Sequence, residues 1–163
     1  MQAVRTLPTG YQQAGVLDLS KNFKATLLLN LAAIPLLFVA LWGVWGYVTL
    51  VRAGEPISLV FQGVEAAVGV LLLYIVMIVL HEAIHGICFW WYTRARPKFG
   101  LGWTYAYAAA PGWYIPRNAY FVVALAPFAV ITLGGALLLL WVPPVALLPV
   151  GFVIVINAAG CIG

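Results

Sequence analysis

The sequence predicts an all-α membrane protein: a bundle of about four transmembrane helices, with a short β-like hairpin between helices 2 and 3. Two observations carry this. Of 163 residues, 65% are hydrophobic and only 7% are charged, against about 25% charged in an ordinary soluble domain. The apolar residues also fall into four runs of the length that crosses a bilayer, about 20 residues. They do not alternate with polar residues as membrane-spanning strands do, and a helix satisfies its own backbone groups, as lipid requires. The chain reads as one membrane domain, 1–163, with no room for a separate soluble domain.

Residues 1–24 are polar and mixed, without the basic start and immediate apolar core of a signal peptide. Helix 1 is therefore expected to be retained, over about 25–50. Helix 2 is expected over 66–91, helix 3 over 119–142 and helix 4 over 145–163. Arg117 and Asn118 are read as headgroup anchors preceding helix 3. Gly43, Gly46, Gly134 and Gly135 are read as points of close helix packing. The chain stops at Gly163 with no polar flank, which suggests a truncated C-terminus.

Arg5, Lys21 and Lys24 precede helix 1, and Arg94, Arg96, Lys98 and Arg117 lie between helices 2 and 3, whereas Arg52 alone follows helix 1. By the positive-inside rule the N-terminus is cytoplasmic. The net charge of +4 does not point to nucleic acid, because the basic residues are few and flank the apolar runs. Cys88 and Cys161 both sit in apolar runs and imply no disulfide framework.

The segment 93–117, "TRARPKFGLGWTYAYAAAPGWYIPR", is too polar and too rich in Gly and Pro for a further helix. Trp103, Tyr105 and Tyr107 recur with period two, a strand signature, and Pro111-Gly112 reads as a turn. A hairpin at the membrane surface follows, and its aromatics also suit an interfacial belt.

Both histidines of the chain lie inside helix 2, in "HEAIHGICF", as His81 and His85, with Glu82 beside them. His-Glu-x-x-His on a helix puts two imidazoles on one face, one turn apart. Such a pair can converge on one tetrahedral metal ion, with the glutamate in reach of an attacking water; this is the arrangement of zinc metallopeptidases. Zinc would polarise a peptide carbonyl, and Glu82 would act as general base. A charged side chain at mid-membrane costs roughly 2.5–3.5 kcal/mol on insertion scales, so such residues usually mark function. Two other readings stand beside this one. The histidines could be neutral interhelical hydrogen-bonding groups with a protonated Glu82, or they could line an ion or proton pathway or hold a haem.

A catalytic zinc takes three protein ligands. Cys88 follows His85 by three residues but lies about 10.5 Å along the axis from His81, and Glu65 lies about 24 Å away. Helix 4 ends at the same depth as the histidine pair, and Asn157 is its one strongly polar residue.

Taken with "LDLSKNFKATLLLNLAAIPL", "RPKFGLGWTYAYAAAPGWYIPRNAYFVVALAPF" and "INAAGCIG", the motif resembles a family of small bacterial integral-membrane proteins described as zincin-type peptidases, long a domain of unknown function. They are similar in logic to site-2 intramembrane proteases. The resemblance covers nearly the whole chain. It implies that His81 and His85 bind Zn2+ and that Glu82 is the general base. It further implies that Asn157 opens a second motif whose closing aspartate, the third ligand, would follow Gly163 directly. By the same analogy Asn157 could hydrogen-bond the substrate carbonyl or oxyanion; an interhelical hydrogen bond is the alternative.

The function expected is an intramembrane zinc metallopeptidase of the bacterial cytoplasmic membrane. Its partners would be the lipid bilayer and a membrane-embedded or membrane-anchored protein substrate, cut near the cytoplasmic face. The strand carrying Trp103, Tyr105 and Tyr107 would hold that substrate extended. The alternatives are a non-catalytic membrane partner that still grips transmembrane segments, or a metal or proton transporter, for which no internal symmetry is found.

Overall fold

The computed structural model describes residues 3–7, 9–12, 22–54, 63–102 and 105–161. Four helices and one hairpin follow in the order α1 (Phe23–Val51), α2 (Gly63–Thr93), β1 (Lys98–Leu101), β2 (Ala106–Ala109), α3 (Arg117–Leu139) and α4 (Pro144–Gly160). The first three helices are long and apolar enough to cross a membrane. At 1.5 Å per residue, α3 is about 35 Å long and α4 about 25 Å. α4 is thus the short member of the bundle, and the end expected at 162–163 lies outside the described residues.

Each boundary has a local cause. The Asn22 side chain accepts the Ala25 N–H at 3.1 Å and caps α1. At the far end of α1, the Arg52 guanidinium donates to the carbonyls of Leu139 and Leu140, at 3.3 and 3.2 Å. Those carbonyls belong to the last residue and the C-cap of α3, where helical acceptors lack partners and a cation is favoured. α3 stops at Leu139 rather than at 142 because Pro143 disfavours helix in the residue before it. Pro144 then opens α4, a position that needs no N–H. α3 also starts earlier than expected: Arg117 is its first residue and Asn118 its second, so both are inside the helix and not ahead of it.

The core lies where α1, α3 and α4 meet, around Val48, Leu139, Leu147 and Ile154. Tyr47 reaches across to donate its hydroxyl to the Ala136 carbonyl at 3.1 Å. Of the glycines read as packing points, only Gly135 is one: a β-carbon there would meet the Ile154 side chain at 2.5 Å. Gly43, Gly46 and Gly134 face open space. Among the other described helix glycines, the close approaches are Gly151, against Val44, and Gly86 on α2. Most large side chains outside the core are exposed, among them Phe38, Trp42, Leu72, Val79 and Leu133. Such continuous apolar surface has no place in water and is what lipid would cover.

The hairpin is antiparallel, with Phe99 opposite Ala108 and Leu101 opposite Ala106. Past Leu101 the pairing continues, with the Gly102 N–H reaching the Tyr105 carbonyl at 2.7 Å. Of the aromatics expected on one strand, Tyr107 lies in β2, Tyr105 just precedes it, and Trp103 lies outside the described residues. The Tyr105 and Tyr107 rings sit together, 6.1 Å apart. The Pro111-Gly112 turn forms, with Gly112 at φ 76° and Trp113 N–H returning to the Ala110 carbonyl at 3.3 Å. It does not close the hairpin. It sends the chain onward, so that Tyr114 pairs with Val4 of the N-terminal segment and Trp113 lies under the Arg5 guanidinium at 4.9 Å.

Candidate metal centre

The spacing of His81 and His85 places their rings on one face of α2, and the ring centroids are 4.9 Å apart at 72°. Both rings are half-buried between α2, α3 and α4. Each is held by its Nδ1 atom. His85 Nδ1 lies 2.9 Å from the Val123 carbonyl of α3. A carbonyl can only accept, so this nitrogen carries the proton. His81 Nδ1 lies 2.9 Å from Asn157 Oδ1 of α4. The same carboxamide donates from Nδ2 to the Pro127 carbonyl at 3.3 Å, so its Oδ1 is the accepting end and His81 Nδ1 is again the donor.

In both rings the Nε2 atom is therefore left with its lone pair. Metal-bound histidines are usually fixed in this way, with the nitrogen away from the metal donating to a carbonyl or carboxamide. The donor set fits zinc, which takes neutral imidazole nitrogens. Among the described residues, no group of three or more His, Cys, Asp or Glu side chains could hold an ion. Cys88 is a half-buried free thiol and does not complete such a group.

Glu82 follows His81 on the flank of the pair. The hairpin packs against this part of α2, and the backbone amide of Ala108 faces the Glu82 carboxylate. The register explains why that amide is available. The Gly102–Tyr105 pair is hydrogen-bonded, and in an antiparallel ladder bonded and non-bonded pairs alternate. Gly100–Tyr107 and Lys98–Ala109 are then bonded pairs, while Ala106 and Ala108 point their N–H and C=O groups away from β1. The free edge of β2 thus runs past Glu82. What holds the hairpin there is Gly86, buried on α2, whose missing side chain makes room for the Phe99 ring and the edge of Pro97.

Asn157 has no exposed surface, and both ends of its carboxamide are engaged. A hydrogen bond from it to a substrate oxygen would require it to turn away from His81 or Pro127. Tyr105 and Tyr107 are exposed on the hairpin. Sequence reasoning missed three participants: the Val123 carbonyl, the Ala108 amide and Gly86. The first two are backbone groups that no residue type announces. Gly86, directly after His85, could have been noticed as a helix glycine in contact range of a following strand.

No curated protein and no solved structure matches the chain. A family model described as "Putative zincin peptidase" matches residues 74–163, which take in the histidine helix, the hairpin, α3 and α4. The chain belongs to that zincin peptidase family.

Proposed function

We propose that the protein is a zinc-dependent intramembrane peptidase that cuts membrane-embedded or membrane-anchored protein substrates near the cytoplasmic face of a bacterial cytoplasmic membrane, its N-terminus cytoplasmic. The observation that carries this is the tautomer lock: both histidines of His-Glu-x-x-His spend Nδ1 on fixed acceptors and leave Nε2 for a metal. His81 and His85 would hold zinc. Bound there, zinc supplies Lewis acidity toward the scissile carbonyl and the attacking water. Glu82 takes the proton from that water and returns it to the leaving amine. Asn157 acts as a positioning residue through His81.

The substrate must be unwound to be cut, because a helical carbonyl is hydrogen-bonded and shielded. The outward N–H and C=O groups of Ala106 and the outward C=O of Ala108 offer an extended segment an edge to pair with, beside Glu82. This reading shifts the substrate-holding role from the side chains of Trp103, Tyr105 and Tyr107 to the backbone of β2. The test is cleavage of a membrane-anchored reporter by the purified protein in vesicles, with zinc content measured on the same samples. Ala106→Pro removes an outward amide without removing a ladder bond. It is expected to lower cleavage at least tenfold while zinc content stays at the wild-type level. Unchanged cleavage would remove the β2 edge from the mechanism.

The competing reading is a non-catalytic partner that retains the hairpin but cuts nothing. It is favoured by there being two candidate ligands, not three, among the described residues. Zinc bound with no cleavage of any transmembrane reporter, in wild type and Glu82→Gln alike, would select it.

A further inference from the structure

Pro127 sits in the middle of α3 and is fully buried. A proline in a helix interior removes one backbone donor, and its ring pushes against the carbonyl four residues earlier. That carbonyl belongs to Val123. It is the carbonyl that receives His85 Nδ1, at 2.9 Å. A buried carbonyl without a partner is costly, so the missing Pro127 donor favours an imidazole donor at this point. The Pro127 carbonyl, one turn on, receives the Asn157 Nδ2 hydrogen, and Asn157 in turn accepts from His81. The two histidines are thus tied to α3 through one residue: His85 by the donor Pro127 lacks, His81 by the acceptor Pro127 presents.

We infer that Pro127 is a positioning residue of the metal centre, fixing the tautomer of His85 by withholding an amide from the Val123 carbonyl. The inference rests on the zinc-site reading above, but half of it can be tested without metal. With alanine at 127, a backbone N–H becomes available to the Val123 carbonyl, and His85 must compete for it. A released imidazole favours the proton on Nε2, the nitrogen a metal would need.

The experiment compares the full chain with Pro127→Ala, and with Pro35→Ala as a control for loss of a helix proline in α1. Nitrogen NMR of the metal-free protein, labelled at histidine, reads the tautomer. Zinc affinity is read by chelator competition on the same samples. The expected result is a proton on Nδ1 of His85 in wild type and Pro35→Ala, a shift toward Nε2 in Pro127→Ala, and a 10–100-fold weaker zinc affinity in that variant. The same His85 tautomer in wild type and Pro127→Ala overturns the inference while leaving the zinc reading intact. A tautomer shift in a protein whose wild type binds no zinc supports the Pro127–His85 coupling and overturns the zinc reading instead.

Discussion

At the scale of single residues, the centre depends on what the second nitrogen of each imidazole touches. Asn157→Leu keeps the volume of the side chain but removes the acceptor for His81 and the donor to Pro127. It is expected to weaken zinc binding 10–100-fold, measured by chelator competition. Asn157→Asp keeps an acceptor for His81 and should retain more affinity than the leucine variant. Equal loss in both would mean that the hydrogen bond to His81 is not what matters. Glu82→Gln should keep its zinc and lose peptide hydrolysis, because the amide cannot take a proton from water.

At the scale of elements, the hairpin and α2 form one unit joined at Gly86. A β-carbon at that position would run into the Phe99 ring, so Gly86→Val must push β1 outward, and β2 with it. Overpacking of this kind costs about 1–3 kcal/mol. The expected signature is specific: cleavage falls because the β2 edge moves away from Glu82, while zinc stays, since neither histidine bond involves the hairpin. Loss of zinc in Gly86→Val, measured on folded protein, would show instead that the hairpin supports the histidines. The existence of this unit was legible in the sequence, because a polar, Gly-rich stretch with period-two aromatics cannot continue a membrane helix. Its register was not. The aromatic spacing pointed to a strand over 103–108, whereas pairing with the Lys98–Leu101 strand placed it at Ala106–Ala109. Such a difference in strand bounds depends on the pairing with β1 and on the fit of Phe99 into α2, neither of which appears in hydrophobic pattern.

For the whole molecule, the sequence made the membrane class and the helix count plain, because apolar runs longer than any soluble core helix leave few alternatives. His81, Glu82 and His85 stood out as readily, since costly polar groups in an apolar run demand a reason. That α4 ends level with the histidines was also foreseen from the parallel run of helices 2 and 4, and the His81–Asn157 bond at 2.9 Å shows it. What could not be read was the way α3 enters the site, because its contribution is two carbonyls and a missing amide. Helix contacts were legible only in part: glycine spacing nominated four positions, and the bundle uses Gly135 against Ile154. Gly135→Val should therefore spread α3 from α4 and cost about 1–3 kcal/mol. It should also weaken zinc binding at a distance, because the Asn157–Pro127 bond spans the same interface. Thermal unfolding in detergent, with zinc content read alongside, checks both.

The central claim is that the two imidazoles hold a metal ion. The measurement that tests it most directly is zinc per chain, by mass spectrometry of detergent-purified full-length protein and its His85→Ala variant. The account predicts about one zinc per chain in the wild type and none in the variant, as expected for a site built on neutral imidazole donors. No metal in the wild type would contradict it, and would leave His81, His85 and Asn157 as hydrogen bonds that tie three helices together.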